Sequence, residues 1–463
     1  MKLRKYDAEK ARVEGATALP GFERSGFEQS GRKQLIVIGA ALLTVAILVS
    51  MLVSYSVLLL AYSIFIIFIL LIYLVIWTDG AADMPEPDGS YYKKWPTVTL
   101  VIPSYNSRHT IFECIKACQA IRYPNKVEIL VVDDGSTDGS TEQIAKIKGI
   151  RLLRKEKNAG KGAALNMAIR QAKGEIIGCV DSDTYASPDT LIRAVPQFVE
   201  DEKTGAVVLF INAAAPSNLL QRIQELEYWV SFGFYFKTVA FISALHVTPG
   251  PMALYRRAVF EQLGGFDEHN IAEDMEIALR MHRHGWKVKT CHGAPVYTEV
   301  PATWKSLYRQ RLRWFRGGLH NVFKYSDMFL NPRYGSLGLF VLPMVLASGL
   351  FAALFVFWTA LDMGRNLFNW VMPWVANYAA VLPIALRLPP LDPLMFSSAL
   401  IVGVIPAIIW AFFLYSGFSI SHQKMKLEHV FPALVLMFLY PFFLGYAFLM
   451  AYVYELSGKS YKW

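Results

Sequence analysis

Residues 127–136 read VEILVVDDGS and residues 175–183 read EIIGCVDSD. Each is an apolar run that stops at acids. Runs of this kind, bounded by Asp, Gly and Ser, are those of strands buried on both faces. Thr97–Ile102 (TVTLVI) is a third, ending at Pro103, and Arg151–Leu153 is a shorter one. Helical spacing fills the intervals at Arg108–Ala120, Thr141–Lys148 and, after a glycine pair, Lys161–Ala172. The order β-α-β-α-β-α-β predicts an α/β domain with a mainly parallel, doubly wound sheet. Ligands of such sheets bind beyond the carboxyl ends of the strands, which is where these acids fall.

The domain is flanked by membrane segments. Of 463 residues, 54% are hydrophobic and 18% charged, which excludes a disordered chain and argues against a purely soluble one. Gln34–Val53 and Ser56–Trp77 carry no charge, and each has about the 20 residues that cross a hydrocarbon core of about 30 Å. Linked by Ser54–Tyr55, they read as a helical hairpin over 34–77. The first is too long for a signal peptide and lacks a small-residue cleavage site. Basic residues crowd the segment 1–33, among them Arg24, Arg32 and Lys33, so the N-terminus is expected in the cytosol and the hairpin returns the chain there. Residues 78–335 are then a cytosolic domain of a multi-pass protein of the cell membrane. Within 336–463, Ser336–Leu361, Leu394–Tyr415 and His429–Tyr454 read as three spans. Asn366–Leu386, with Pro373 and Pro383, reads as an extracytoplasmic interfacial or re-entrant segment, with a sixth span as the alternative. The net charge of +9 is thus placed for a membrane surface, and nucleic acid is not expected. The four cysteines, Cys114, Cys118, Cys179 and Cys291, have neither disulfide nor zinc-site spacing and fit a reducing compartment.

Five short motifs carry candidate chemistry, and each alone also has a plain structural reading. Asp133-Asp134, followed by Gly135 and Ser136, could be a strand-to-helix turn. Asp181-Ser182-Asp183 could be another polar turn. Alternatively, carboxylates two apart in extended chain face the same way and reach one hard cation, Mg2+ or Mn2+, which takes one or two carboxylates plus diphosphate oxygens. Asn158-Ala159-Gly160-Lys161-Gly162 opens a helix whose N-terminus, with Lys161, attracts phosphate. Glu273 and Asp274 begin a helix that runs to about Gly285. They read either as capping acids or as a general base, which the helix N-terminus would keep ionised. Gln310, Arg313 and Trp314 share one face of a basic amphipathic helix near 303–325, which reads as interfacial because a span follows it. Residues 247–257, VTPGPMALYRR, read as a strand and loop beside them.

These motifs, in this order and in one α/β domain between membrane spans, resemble the membrane-embedded family 2 glycosyltransferases with a GT-A fold, among them the synthases of cellulose, hyaluronan, chitin and poly-N-acetylglucosamine. The resemblance covers about Val98–Gly318. It implies that Asp133 and Asp134, with Pro103 and Tyr105 of the opening Pro103-Ser104-Tyr105-Asn106, contact the nucleotide. It implies that Asp181 and Asp183 hold Mg2+ or Mn2+ on the donor diphosphate, with Lys161 adding charge. Asp274 would be the base, with Glu273 beside it, and Gln310, Arg313 and Trp314 would bind the acceptor sugar and diphosphate. Ser107 stands where that family often has a carboxylate. The implied reaction is inverting, metal-dependent transfer from a nucleotide-diphosphate sugar, a UDP-sugar by the resemblance, onto a growing polysaccharide that leaves through the membrane. Transfer of one sugar to a membrane lipid is the nearest alternative. A nucleotide-binding transporter or scaffold is the alternative of a different class, and it would need no such combination of acids and basic helix. The expected partners are the donor, the polysaccharide or lipid acceptor and the bilayer; the sequence names no protein partner.

Overall fold

The computed structural model describes residues 55–376, except 90, 91 and 93, and residues 404–457, except 422. Eight strands follow one another in the chain: β1 (Val98–Ser104), β2 (Val127–Asp133), β3 (Arg151–Arg154), β4 (Ile176–Val180), β5 (Thr184–Ala186), β6 (Thr204–Ala213), β7 (Met252–Arg256) and β8 (Lys287–Thr298). They form one sheet in the order β3-β2-β1-β4-β7-β6-β8-β5. β3, β2, β1 and β4 pair in parallel, as do β6 and β8. β7 runs against both β4 and β6, and β5 runs against β8. The sheet is therefore mixed, with the expected parallel half on one side of an inverted strand. β4 and β6 bury every residue, and β1 all but one, which explains their unbroken apolar sequence.

The helices begin with α1 (Tyr55–Ile76), the second arm of the expected hairpin; Gln34–Val53 lies outside the described residues. Within the domain come α2 (Ile111–Gln119), α3 (Ser140–Ile144), α4 (Lys161–Gln171), α5 (Thr190–Ala194), α6 (Pro196–Glu200), α7 (Leu219–Tyr228), α8 (Phe236–Phe241), α9 (Arg257–Leu263), α10 (Glu273–Arg283) and α11 (Trp304–Lys324). Two of these are shorter than their spacing predicts. The expected helix Arg108–Ala120 loses its first residues because Asn106 and Arg108 donate their backbone N–H groups to Ser136 and Asp138 of the β2 turn. Thr141–Lys148 ends at Ile144, and the chain then turns through Gly149, at φ +82°, into β3.

After the domain come α12 (Leu342–Ala376), α13 (Ile405–Ile420), α14 (Val430–Phe438) and α15 (Tyr440–Leu456). Val57–Ala81 and Leu337–Met372 are long and apolar enough to cross a membrane. Asn366 begins no break: α12 runs through it to Ala376, and residues 377–386 of the expected re-entrant segment lie outside the described residues. Leu427–Phe438 and Tyr440–Leu456 form a pair bent by 45°. Pro441 accounts for the bend, since it has no N–H to give and its ring clashes with the carbonyl four residues back. α1 and α12 meet through Tyr62 stacked on Phe355 and Phe65 on Phe351. On the outward side of α1, Ile64, Phe68 and Val75 are more than half exposed, a face suited to lipid.

The sheet is also tied to the C-terminal apolar helices by a segment that the sequence pattern does not mark. α7 continues through a wide π-type turn, Trp229–Tyr235, into α8. Its apolar side lies on α13, with Phe234 stacked on Phe413 at 3.9 Å between ring centroids. From the other side, the Glu86 carboxylate, in the linker after α1, accepts the backbone N–H groups of His292 and Gly293 in β8.

Candidate active site

The carboxyl ends of β1, β2 and β4 and the start of α10 bring several sequence-predicted residues together. Asp181 follows β4, and its backbone N–H donates to Pro251 O at 2.9 Å, which ties the strand end to the turn before β7. The Lys161 ammonium, in the first turn of α4, is paired with the Asp181 carboxylate and lies 3.9 Å from Glu273. Gly250 faces this pair: a Cβ there would come within 2.7 Å of Lys161 Nζ and 3.1 Å of Asp181 Oδ2, so a side chain would crowd the site. Burial works against the charge on Lys161, but Asp181 and Glu273 outweigh it and hold its pKa above the ordinary value.

Asp183, two residues on, is tucked beneath the same site. Its Oδ1 receives only long contacts, 3.4 Å each, from the hydroxyls of Thr184 and Thr298. Burial, with the charge of Asp181 beside it, pushes its pKa up to about 6. Glu273 and Asp274 open α10. Burial raises both pKa values, against the opposing pull of Lys161 and Arg313. The helix N-terminus was expected to keep Asp274 readily ionised; burial is the larger effect and makes it a stronger base. One Asp274 oxygen accepts the Met275 N–H at 2.8 Å.

α11 packs closely over this loop. A Cβ on Gly317 would lie 2.4 Å from that of Ala272, so only glycine allows the approach. Asn321, fully buried, accepts from Asn270 Nδ2 at 2.6 Å and donates to Ala272 O at 3.1 Å. Thr248 donates both its N–H and its hydroxyl to Asp274 O, and Tyr255 donates to the Thr248 hydroxyl. The sequence reading did not single out Asn321, Thr248 or Tyr255; the only signal was Thr248's place in the 247–257 segment. Arg313 comes near enough to act on Lys161, Glu273 and Asp274, whereas Trp314 is 39% exposed, as a surface for a ring would be.

Other predicted residues stand at the same strand ends but are engaged within the protein. Asp133 is fully buried: one oxygen accepts the Ser136 N–H and the other the Thr141 hydroxyl. Asp134 accepts the N–H groups of Ala159 and Gly160, and it pairs with Lys155 at 2.6 Å. These acids shape the β2 turn and anchor the loop that leads to Lys161. Pro103 sits within β1, paired with Val132, and Tyr105 just beyond is 48% exposed.

Among the described residues no three or more His, Cys, Asp or Glu side chains are placed so that together they could hold a metal ion. Asp181 and Asp183 nevertheless suit a hard divalent ion. Both are oxygen donors, Asp183 is poorly satisfied and disfavoured as a lone buried anion, and a cation, Lys161, already sits on Asp181.

Comparison with known proteins gives the class of this domain. Residues 99–264 match the family model described as Glycosyl transferase family 2. The chain is 30% identical over 248 residues to the poly-beta-1,6-N-acetyl-D-glucosamine synthase of Staphylococcus aureus (strain COL), covering 53% of this chain and 60% of that protein. It is 32% identical over 252 residues to the probable glycosyltransferase YdaM of Bacillus subtilis (strain 168), covering 51% and 59%. The chain thus spans about 60% of the length of these relatives. Among solved structures it resembles the mannosyltransferase PcManGT from Pyrobaculum calidifontis, in complex with GDP-Man and Mn2+, with a TM-score of 0.53 and 22% identity, covering 80% of this chain and 100% of that one. Residues 99–264 thus match a family 2 glycosyltransferase domain, and the fold is GT-A-like.

Proposed function

We propose that this chain is an inverting, metal-dependent glycosyltransferase that polymerises sugar from a nucleotide-diphosphate sugar, read as a UDP-sugar, and passes the polysaccharide across the membrane. One observation carries the reading: Lys161 and Arg313, the acids Asp181 and Asp183, and the buried pair Glu273 and Asp274 converge at the strand ends. In the step this allows, the acceptor hydroxyl oxygen attacks the anomeric carbon on the face opposite the leaving group. Its proton passes to the Asp274 carboxylate. The bond from the anomeric carbon to the diphosphate oxygen breaks, and its electron pair leaves on the nucleoside diphosphate. Lys161 and Arg313 meet the charge that develops there. A divalent ion on Asp181 and Asp183 would supply further positive charge to the same oxygens. The raised basicity of Asp274 suits removal of a proton from a hydroxyl that is hardly ionised at neutral pH.

Supporting the metal and the donor class, PcManGT is described with GDP-Man and Mn2+. Supporting a polymer product, the S. aureus relative is named as a poly-N-acetylglucosamine synthase. The catalytic domain is read as cytosolic, from the basic residues ahead of the first apolar run, and the chain as a multi-pass protein of the cell membrane. The test is the full chain in nanodiscs with Mn2+ or Mg2+ and a panel of nucleotide sugars, following nucleotide diphosphate release and sizing the product. A high-mass product from one donor is expected, with Asp274→Asn lowering turnover by about 10²–10⁴. A single discrete glycolipid would replace polymerisation by lipid glycosylation, and an Asp274→Asn protein as active as wild type would remove Asp274 as the base.

A further inference from the structure

The side chains of Gln310 and Trp314 are both held by a residue that lies between them in the sequence. Arg311 is 1% exposed, and it reaches three elements. Its Nη1 donates to Gln310 Oε1 at 2.7 Å. Its guanidinium lies over the Trp314 ring, 4.1 Å from the centroid. Its Nη2 donates to Glu227 Oε2, on α7, at 2.5 Å. The same Glu227 oxygen accepts the hydroxyl of Tyr440 at 2.9 Å. Tyr440 is the first residue of α15, just past the 45° bend that Pro441 imposes.

We propose that Arg311 is a positioning residue that orients Gln310 and Trp314 for the acceptor, and that Glu227 and Tyr440 couple this orientation to the bend in the membrane helix pair. The inference rests on the proposed function and on the expectation, implied by the family resemblance, that Gln310 and Trp314 bind the acceptor.

The chemistry is specific to arginine. A guanidinium has only donors, so it turns the Gln310 carbonyl oxygen toward itself and leaves the Gln310 NH2 group to donate to a ligand's oxygen atoms. Its flat face stacks on Trp314 while its edge binds the carboxylate, two jobs that a lysine ammonium cannot do together. Burial alone would disfavour the charge, and Glu227 reverses this. Removing Glu227 or its second donor therefore loosens Arg311, and through it both acceptor residues. The aromatic pairs Trp304–Phe443, Tyr308–Tyr446 and Phe315–Phe448 run along the same side of α11 and hold α15 against it. The bend thus adjoins the acceptor face through packing as well as through the Tyr440–Glu227–Arg311 relay.

The test uses full-length protein in nanodiscs, as wild type and as Arg311→Lys, Tyr440→Phe and Glu227→Gln. Two readouts need no turnover: the Kd for UDP with Mn2+, and acrylamide quenching of the Trp314 emission, taken as the difference from each variant carrying Trp314→Phe. The third is the KM for a β-1,6-linked N-acetylglucosamine oligomer, set against kcat. Expected for Arg311→Lys is a Trp314 component quenched about threefold more efficiently, an acceptor KM raised about tenfold, and a UDP Kd within about twofold of wild type. Tyr440→Phe, which keeps the ring and its packing, should move the same readouts in the same direction by a smaller factor. A Trp314 component unchanged in Arg311→Lys would overturn the positioning role. One changed in Arg311→Lys but not in Tyr440→Phe or Glu227→Gln would overturn the coupling to the bend. Loss of UDP binding in step with the acceptor KM would also overturn it, since that is general damage to the domain. If wild type transfers no sugar from any donor, the proposed function fails by itself, and the quenching readout still decides the coupling.

Discussion

Asp134→Asn separates two roles that an acid at the end of β2 can play. In the structure the carboxylate is an internal anchor: Oδ1 accepts the Ala159 N–H at 3.1 Å, and Oδ2 accepts the Gly160 N–H at 2.8 Å. Lys155 Nζ lies 2.6 Å from Oδ1, paired by charge rather than by an aligned hydrogen bond. Asparagine keeps one acceptor oxygen and turns an NH2 group toward a backbone N–H. One hydrogen bond to a charged group is lost, worth about 1.5–3 kcal/mol. The Lys155 side chain, only 17% exposed, is left without its counter-charge. Together these give a loss of about 3 kcal/mol, or about 6–12 °C in Tm for a domain of this size. Because Gly160 immediately precedes Lys161, the loosened loop should also lower the affinity for nucleotide diphosphate, as a consequence of the same displacement. Thermal unfolding of the full chain in nanodiscs, measured beside the UDP Kd, checks this. If nucleotide affinity fell while Tm stayed within a degree or so of wild type, the carboxylate would be reading the nucleotide directly and the anchor argument would be wrong.

Asn321→Ala should leave the Asn270 NH2 group unpaired, take one of the two donors from the Ala272 carbonyl, which keeps the Glu276 N–H, and let the loop before Asp274 shift; kcat is expected to fall about tenfold with the UDP Kd little changed, in steady-state kinetics. Glu225 sits on α7, where burial, with Glu428 adding to it and Arg222 and Lys426 opposing, raises its pKa to about 7. His429 Nε2 lies 3.4 Å from it. A carboxyl whose folded pKa lies above its unfolded value favours folding at low pH, and that advantage is lost as pH rises from about 4.5 to about 7. Glu225→Gln should therefore be more stable than wild type above pH 7, by as much as about 3 kcal/mol, with the difference gone below about pH 4.5; Tm against pH measures it. Removing divalent ions with EDTA should abolish transfer and Mn2+ should restore it, whereas Asp183→Asn should not respond to added Mn2+; a chelated enzyme of full activity would exclude the metal role.

The parts of the domain legible in the sequence are those whose burial is two-sided and whose ends are chemically abrupt. β1, β2 and β4 are apolar because both faces are covered, and each stops at a polar turn. α4 and α10 announce themselves by glycine or acid at their first turn. What was not legible depends on distant partners. β6 is wholly buried, but no acid follows its last residue, β8 alternates between buried and half-buried positions, and the inversion of β7 leaves no trace in its own residues. The stretch from α7 through α8 is too short and too broken by Glu225, Glu227 and Lys237 to read as a span, and its purpose appears only when Phe234 meets Phe413.

The same distinction separates the kind of a site residue, legible in the sequence, from the partners its side chain meets in the fold. Two adjacent acids after a strand mark a functional turn whether their carboxylates face a ligand or their own loop. Asp133 and Asp134 point inward because the backbone N–H groups of Ser136, Ala159 and Gly160 face them, and that direction is set by folding, not by residue type. Asp274 was placed correctly at a helix start, yet burial, supplied by Thr248, Ala272 and the close approach of Gly317, decides its basicity. Arg311 is the extreme case. On sequence it is one more cation on a basic helix, and its significance comes from Glu227 and Tyr440, respectively 84 and 129 positions away by residue number in opposite directions (311 − 227 and 440 − 311). A local pattern can therefore name candidate residues at the strand ends, but not whether each faces outward or, as Asp133 and Asp134 do, its own loop. The surroundings of Gln310 and Trp314 are chosen by contacts of Arg311 with Glu227 on another helix, and these become visible only in the folded chain.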